Sequence, residues 1–406
     1  MAERARDVER RSWWSAGVGG IGAASLLSDA GHEIPTSLLP AFLTSTLGAP
    51  AAALGVIEGV ADGVSGVARL AGGALADDPD RRRATAIGGY ATTPVLSALI
   101  ATASAVWQVG VLRVGAWAAR GLRVPARNAL LADLVPPAAY GRAYGFERAM
   151  DNLGAIVGPL LALALVGAVG IRGAIALSVI PGLLAVAAMA FAIRRIHATS
   201  SAERRPVRLR VRPVLRGRLG ATMRIVTAFE LGNVAVTLLI LRAVELLSQT
   251  HTHDEAVRVS LWLYAGYNVA ATIGSVGAGH AADRFGARRA LVAGVAAFLV
   301  AYVTFGSAGP GVLVLAIAFG VAGLGKGFVE TAEHAAVAAD ADEGIRGSAF
   351  GVLAGIQSFG NVAASSVAGL LWTAASPEWA FTWAASWMVL SLGVTAGLRL
   401  FNTSHT

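Results

Sequence analysis

What most limits the folds open to this chain is the recurrence of apolar stretches about twenty residues long, separated by short breaks. A bilayer core takes about 20 apolar residues per helix. Stretches of that length predict spanning helices near 16–44, 51–76, 85–105, 107–134, 141–169, 173–193, 219–247, 258–282, 289–307, 310–339, 346–372 and 379–401. Hydrophobic residues fill 55% of the 406 positions and charged residues only 14%, so the chain needs lipid to cover its surface. The expected fold class is an all-α membrane protein of twelve transmembrane helices. Cysteine is absent, which excludes disulfide frameworks, thiolate metal sites and cysteine nucleophiles.

The breaks alternate in arginine. Arg4, Arg6, Arg10 and Arg11 come first, then 81–83, Arg142, the stretch 194–218, 284–289, Arg346 and Arg399, whereas the intervening breaks near 47–50 and 307–310 are nearly uncharged. By the positive-inside rule the arginine-rich sides are cytoplasmic, so both termini are expected inside a bacterial inner membrane. The charged start, followed by an apolar segment containing acids, argues against a cleaved signal peptide. The net charge of +8 is accounted for by this topology, since every basic stretch abuts a spanning segment, and no nucleic-acid partner is expected.

The break at 194–218 holds nine arginines and one acid and divides the chain into a first bundle at 1–193, a basic cytoplasmic linker and a second bundle at 219–406. An internal repeat supports that division, because one offset of 206 residues aligns several features of the two halves without gaps. Gly73-Ala-Leu-Ala-Asp77 with Arg82-Arg83 falls on Gly279-His-Ala-Ala-Asp283 with Arg288-Arg289, and Gly141, Gly145 and Gly154 fall on Gly347, Gly351 and Gly360. Two parallel six-helix bundles imply a ligand site between them near the bilayer midplane.

The stretch 279–289, Gly-His-Ala-Ala-Asp-Arg-Phe-Gly-Ala-Arg-Arg, resembles the cytoplasmic loop motif between helices 8 and 9 of the major facilitator superfamily (MFS), and the resemblance extends over nearly the whole chain. Gly154-Ala-Ile-Val-Gly158-Pro159 is similar to the helix 5 motif of that family's antiporters, and Arg113 resembles the buried arginine of its drug-exporter branch. The resemblance implies a secondary transporter working by alternating access. It also implies that Asp77 and Asp283 form inter-helix ion pairs that hold the cytoplasmic face closed, with Arg82, Arg284 and Arg288 as further gate residues.

Charges inside spanning helices are costly and default to function. Asp29, His32 and Glu33 fall on helix 1, Glu58, Asp62 and Arg69 on helix 2, Arg113, Arg120, Arg123 and Arg127 on helix 4, and Glu147, Arg148 and Asp151 on helix 5. The repeat-equivalent positions of the second half are mostly neutral, among them Ala235 and Leu239 for Asp29 and Glu33, which favours ion chemistry in the first half. Asp29 and Glu33 share one helical face. They are candidate proton carriers, with Glu58, Asp62 and Asp151 as further candidates, or else they simply neutralise the helix 4 arginines. Arg120 and Arg123 are candidates to bind an anionic substrate group, or partners for those acids. Tyr264, Asn268, Gln357 and Asn361 are neutral groups suited to orienting a polar ligand. Lys326, Glu330, Glu333 and His334 on helix 10 read as internal ion pairing, and His251 and His253 as an exposed turn, so no metal site is expected.

The leading expectation is proton-coupled efflux of a small organic solute. The alternatives are proton symport importing an organic anion, or a non-transporting sensor. No HExxH helix, GxSxG elbow or P-loop points to an enzyme. Expected partners are the substrate, protons and lipid, with no cofactor and a monomeric state.

Overall fold

A computed structural model describes residues 13–196 and 207–403, all helix and loop with no strand among them. Arg4, Arg6, Arg10, Arg11 and the middle of the linker lie outside the described residues. The helices are α1 (Ala16–Ala41), α2 (Ala51–Ala76), α3 (Pro79–Leu99), α4 (Val106–Leu134), α5 (Tyr140–Leu177), α6 (Val179–Arg194), the half-helices α7a (Gly217–Glu230) and α7b (Val236–Leu247), α8 (His253–Phe285), α9 (Ala287–Ser307), α10 (Val312–Asp340), α11 (Arg346–Ala374) and α12 (Pro377–Thr403). They correspond to the twelve expected spans. The helix expected over 219–247 differs, being interrupted between Glu230 and Val236.

Local chemistry sets the boundaries. The Ser15 side chain accepts the Val18 N–H at the start of α1, and Asp78 accepts the Asp80 and Arg81 N–H groups before Pro79 opens α3. Thr252 and Glu255 form a capping box on α8. Gly286, at φ 91°, turns α8 into α9 with a backbone that side chains with a Cβ rarely adopt. Pro35 and Pro40 fall inside α1, which ends in a π-helical turn at Phe42–Thr46.

Five helical stretches, at Pro79–Thr102, Pro137–Arg194, Ala287–Ser307, Val312–Asp340 and Pro377–Ala396, are long and apolar enough to cross a membrane by length and composition alone. Helices such as α2 and α4 miss that measure because they carry charges, and the ion pairs below show where several of those charges go.

The described residues form two compact units. Unit 1 takes those within Met1–Ala143, Met150–Val214 and Ala341–Gly355, and unit 2 those within Tyr144–Ala149, Leu215–Asp340 and Ile356–Thr406. In unit 1, α2 packs on α4, α3 on α4, and α1 on α6. Unit 2 repeats this pattern with α8 on α10, α9 on α10, and α7a on α12. The repeat also governs the closest crossings. In unit 1 a Cβ on Gly73 would lie 2.6 Å from the Cα of Gly351, and in unit 2 a Cβ on Gly145 would lie 2.5 Å from the Ser275 carbonyl and 3.0 Å from the Cα of Gly279. Glycine at these positions lets backbones approach to distances that no side chain permits.

Candidate functional site

In unit 1, α4 presents a ladder of guanidinium groups to α1, α2 and α5. Arg113 is fully buried and takes both carboxylate oxygens of Glu58, Nε to Oε1 at 3.0 Å and Nη2 to Oε2 at 3.2 Å. A third nitrogen donates to Thr36 Oγ1 at 3.2 Å, and the guanidinium lies 3.5 Å from the Trp117 ring centroid. Trp117 in turn donates its indole N–H to Asp62 at 2.8 Å. This fork geometry is the strong form of carboxylate recognition.

About two turns along α4, Arg120 pairs with Asp29 of α1 at 3.0 Å. Asp29 is buried, at 6% exposure, and α5 closes over it, since a Cβ on Gly154 would meet the Asp29 Cβ at 2.8 Å and one on Gly158 the Glu33 Cβ at 2.3 Å. Arg127 reaches Ser25 at 3.1 Å and Asp151 at 3.4 Å. Arg123 breaks the pattern. It is buried at 3% exposure, donates to Ser28 Oγ and stacks 4.0 Å from the Tyr90 ring, and it has no ion-pair partner among the described residues. Beside it a small cavity is lined by Ser28, His32, Tyr90, Thr93 and Ser97 among others. His32 Nδ1, Tyr90 OH and Ser97 Oγ are buried there without a hydrogen-bond partner, the pattern that ordered water satisfies.

The structure therefore places Asp29, Arg120 and Arg123 close together and sorts the acids. Asp29, Glu58 and Asp151 each take a different arginine, Asp62 takes an indole, and Glu33 lies 3.9 Å from His32. The neutral candidates of unit 2 are engaged as well. Asn268 donates to the Tyr264 carbonyl at 3.0 Å, Gln357 to Glu333 at 2.8 Å, and Asn361 to the Asn233 carbonyl at 2.9 Å. Internal ion pairing does not describe Glu333, which bonds Gln357 instead. Glu230 is not among the expected site residues; its signal in the sequence is a carboxylate ending an apolar run immediately before Leu-Gly-Asn.

Where α2 ends in unit 1, Asp77 accepts the backbone N–H of Ser348 at 2.8 Å and also its hydroxyl. The carboxylate thus sits on the first turn of α11, where the helix dipole favours negative charge. Burial pushes the Asp77 carboxyl above the ordinary aspartate range, and the bonds from Ser348 oppose that rise. Arg82 donates to the Ala76 carbonyl at 2.7 Å, closing the end of α2, and pairs with Asp133, which also takes Arg346 at 3.1 Å. In unit 2, Arg288 pairs with Asp340 at 3.0 Å, and Arg284 lies over the Phe285 ring at 5.1 Å.

The family model described as Major Facilitator Superfamily matches residues 21–260 and 234–405. An uncharacterized protein of Mycobacterium tuberculosis is 30% identical over 343 residues, covering 82% of this chain and 81% of that one. An uncharacterized MFS-type transporter of Methanocaldococcus jannaschii is 24% identical over 386 residues, 91% of this chain and 92% of its own. Among solved structures, a bacterial homologue of the iron transporter ferroportin in an outward-facing state aligns with a TM-score of 0.75 at 14% identity, over 94% of this chain and 98% of that one. The human organic anion transporter aligns at 0.72 and 16%, over 94% and 99%, and the Escherichia coli fucose:proton symporter at 0.71 and 16%, over 95% and 99%. These structural likenesses bear on the fold alone. The repeat, the helical architecture and the two family-model matches agree, and the chain belongs to the major facilitator superfamily, as a multi-pass membrane transporter of a solute.

Proposed function

We propose that this transporter couples a small organic anion to protons, with Asp29 as the coupling carboxylate and Arg120 and Arg123 as the anion-binding pair. The observation that carries the reading is the buried Asp29–Arg120 ion pair beside Arg123, a buried guanidinium with no carboxylate of its own. Protonating Asp29 removes the charge that holds Arg120. Arg120 and Arg123, one turn apart on α4, then present two guanidinium groups to a carboxylate or phosphate of the solute. Proton and anion favour each other's binding in this scheme, which is the linkage of a symporter.

Efflux in exchange for protons is the second reading. It is favoured by the antiporter-like run 154–159, whose Gly154 and Gly158 pack directly on Asp29 and Glu33. A solute that competed with the proton for Asp29 would be exchanged rather than co-transported.

In either reading Glu33, Glu58, Asp62 and Asp151 adjust the field around Asp29, and Tyr264, Asn268, Gln357 and Asn361 orient the solute. Two six-helix halves, 1–193 and 219–406, joined by the basic stretch 194–218, alternate access in a bacterial inner membrane with both termini cytoplasmic. Asp77, Arg82, Asp283, Arg284 and Arg288 form the gate whose contacts break and remake in each cycle.

The test is uptake of a panel of radiolabelled organic anions by proteoliposomes under an inward proton gradient. Symport predicts accumulation that a protonophore abolishes. Exchange predicts that the same gradient empties preloaded vesicles. Uptake indifferent to the gradient would remove proton coupling altogether.

A further inference from the structure

Unit 2 holds a buried carboxylate of another kind, next to the break in α7. α7a ends at Glu230, and the N–H groups of Gly232 and Asn233 bond back only three residues, to the Phe229 and Glu230 carbonyls at 2.9 and 3.2 Å, so the helical ladder stops there. A break at membrane depth is tolerated only where neighbouring groups satisfy the freed backbone, and α11 does this. Ser365 Oγ accepts the Ala235 N–H at 2.9 Å, and the Asn361 side chain donates to the Asn233 carbonyl at 2.9 Å. The break is therefore built in and held from the side. It leaves the negative end of the α7a dipole pointing at its own last residue, Glu230.

Two buried acids lie against α11 near this end: a Cβ on Gly360 would come 2.6 Å from the Glu230 Cβ, and Gln357, three residues earlier, donates to Glu333. Glu230 is 4% exposed and accepts from Asn233 at 3.0 Å. Glu333, on α10, is fully buried. Its Oε2 accepts from Gln357 at 2.8 Å, and its Oε1 is buried with no hydrogen-bond partner. Glu333 makes no ion pair among the described residues, and the charges that act on it are those of Glu230 and Glu330, both acidic. Other titratable groups stand nearby: Tyr302 of α9 lies close enough to Glu230 for the two to interact electrostatically, and Glu230, Lys326 and His334 each make further contacts of their own. His334 meets the Glu330 carbonyl at 2.6 Å and lies 5.7 Å from the Tyr144 ring, and Lys326, about two turns away on α10, sits 5.7 Å from the Tyr267 ring. In unit 1 Asp29, Glu58 and Asp151 each face an arginine, whereas Glu333 faces only acids, an amide and a helix end of the same sign.

A buried carboxylate so placed lacks a cation. We propose that Glu333, Glu230 and the break in α7 form a binding site for one small monovalent cation, sodium or a proton, separate from the Asp29 site. Half-helix ends and unwound backbone are the elements from which membrane transporters build such sites. No group of three or more His, Cys, Asp or Glu that could hold a metal gathers among the described residues, which argues for a monovalent ion over a divalent one. Sodium would be held by the open Glu333 Oε1, the Glu230 carboxylate and neighbouring carbonyl oxygens. A proton would be shared by the two carboxylates.

The experiment measures the thermal unfolding midpoint of the full-length protein in nanodiscs. NaCl is exchanged for choline chloride at constant ionic strength, at one pH above neutrality and one below, for wild type, Glu333→Gln, Glu230→Gln and Asp29→Asn. If the site takes sodium, Na+ raises the wild-type midpoint, Glu333→Gln removes the response, and Glu230→Gln weakens apparent Na+ affinity about tenfold or more. If it takes a proton, the wild-type midpoint rises on acidification by more than that of Glu333→Gln, with no dependence on Na+. Asp29→Asn keeps the Na+ response in the first case, and in the second it keeps the part of the acid response that Glu333→Gln removes, so failure here is distinct from failure of the Asp29 reading. Should Glu333→Gln not fold, Glu230→Gln carries the comparison. The proposal is overturned if wild type responds to neither ion, or if the Glu333 and Glu230 variants respond as wild type does.

Discussion

Replacing Glu58 with glutamine keeps the side-chain shape and removes the charge opposite Arg113, and the structure sets the expected cost. The Arg113 guanidinium is fully buried, and its two bonds to Glu58 are charge-assisted. Removing one partner of a buried pair costs about 3–5 kcal/mol, because the remaining charge is left uncompensated. Two features reduce that figure. The Glu58 side chain is 31% exposed, so protein packing leaves its charge only partly buried, and the Trp117 ring at 3.5 Å continues to stabilise the cation by up to about 2 kcal/mol. We expect Glu58→Gln to destabilise the fold by about 2–3 kcal/mol. Arg113→Met should cost less, about 1–2 kcal/mol, since methionine fills the buried volume and the carboxylate left behind is only partly buried. The double variant should fall short of the sum by about 1 kcal/mol or more. SDS-titration unfolding of the four purified proteins in mixed micelles gives the complete cycle. The reasoning is refuted if Arg113→Met costs more than Glu58→Gln, or if Glu58→Gln lies within about 0.5 kcal/mol of wild type.

Gly73→Val should force apart the crossing with Gly351, where even a Cβ would come within 2.6 Å of backbone, costing about 1–3 kcal/mol in unfolding assays and most of the transport activity. Gly145→Val should do the same at its repeat-related crossing in unit 2. The Asp77 carboxyl binds its proton more tightly in the folded protein than in the unfolded chain, so the stability it contributes is greatest in acid. That stability is lost as pH rises through the window from the ordinary aspartate range up to the raised value. Asp77→Asn should flatten this part of a stability-against-pH curve, and an unchanged curve would exclude Asp77 as its source. Arg123→Gln should raise KM for an organic anion about tenfold or more while leaving the fold intact, as read by initial-rate uptake. An unchanged KM would assign Arg123 to packing on Tyr90.

The twelve spans and the two-fold repeat were legible because hydropathy and an offset of 206 residues are properties of the chain itself. The interruption of α7 was not, since Leu231 to Ala235 is apolar enough to pass as helix. Its only written trace is Gly232-Asn233 after an acid, and the partners that stabilise it, Asn361 and Ser365, lie more than a hundred residues away. The site shows the same limit. The sequence placed acids on α1 and arginines on α4 but left open which would meet. Only packing pairs Asp29 with Arg120, gives Glu58 to Arg113 and leaves Arg123 with a hydroxyl and a ring. The Asp77 contact with Ser348 spans 271 positions and joins a carboxylate to a backbone amide, which no residue pattern records. The charge asymmetry between the halves is real in number, but it gives no sign of Glu230 and Glu333, two acids of the second half that packing buries.

The most direct measurement compares wild type and Asp29→Asn in proteoliposomes, in two modes, using an anion found by the uptake panel. The amide mimics the protonated carboxyl and releases Arg120, so the account predicts that Asp29→Asn no longer accumulates the anion under a proton gradient yet still exchanges labelled for unlabelled anion by counterflow. Proton-driven accumulation by Asp29→Asn with wild-type dependence on the gradient would contradict it.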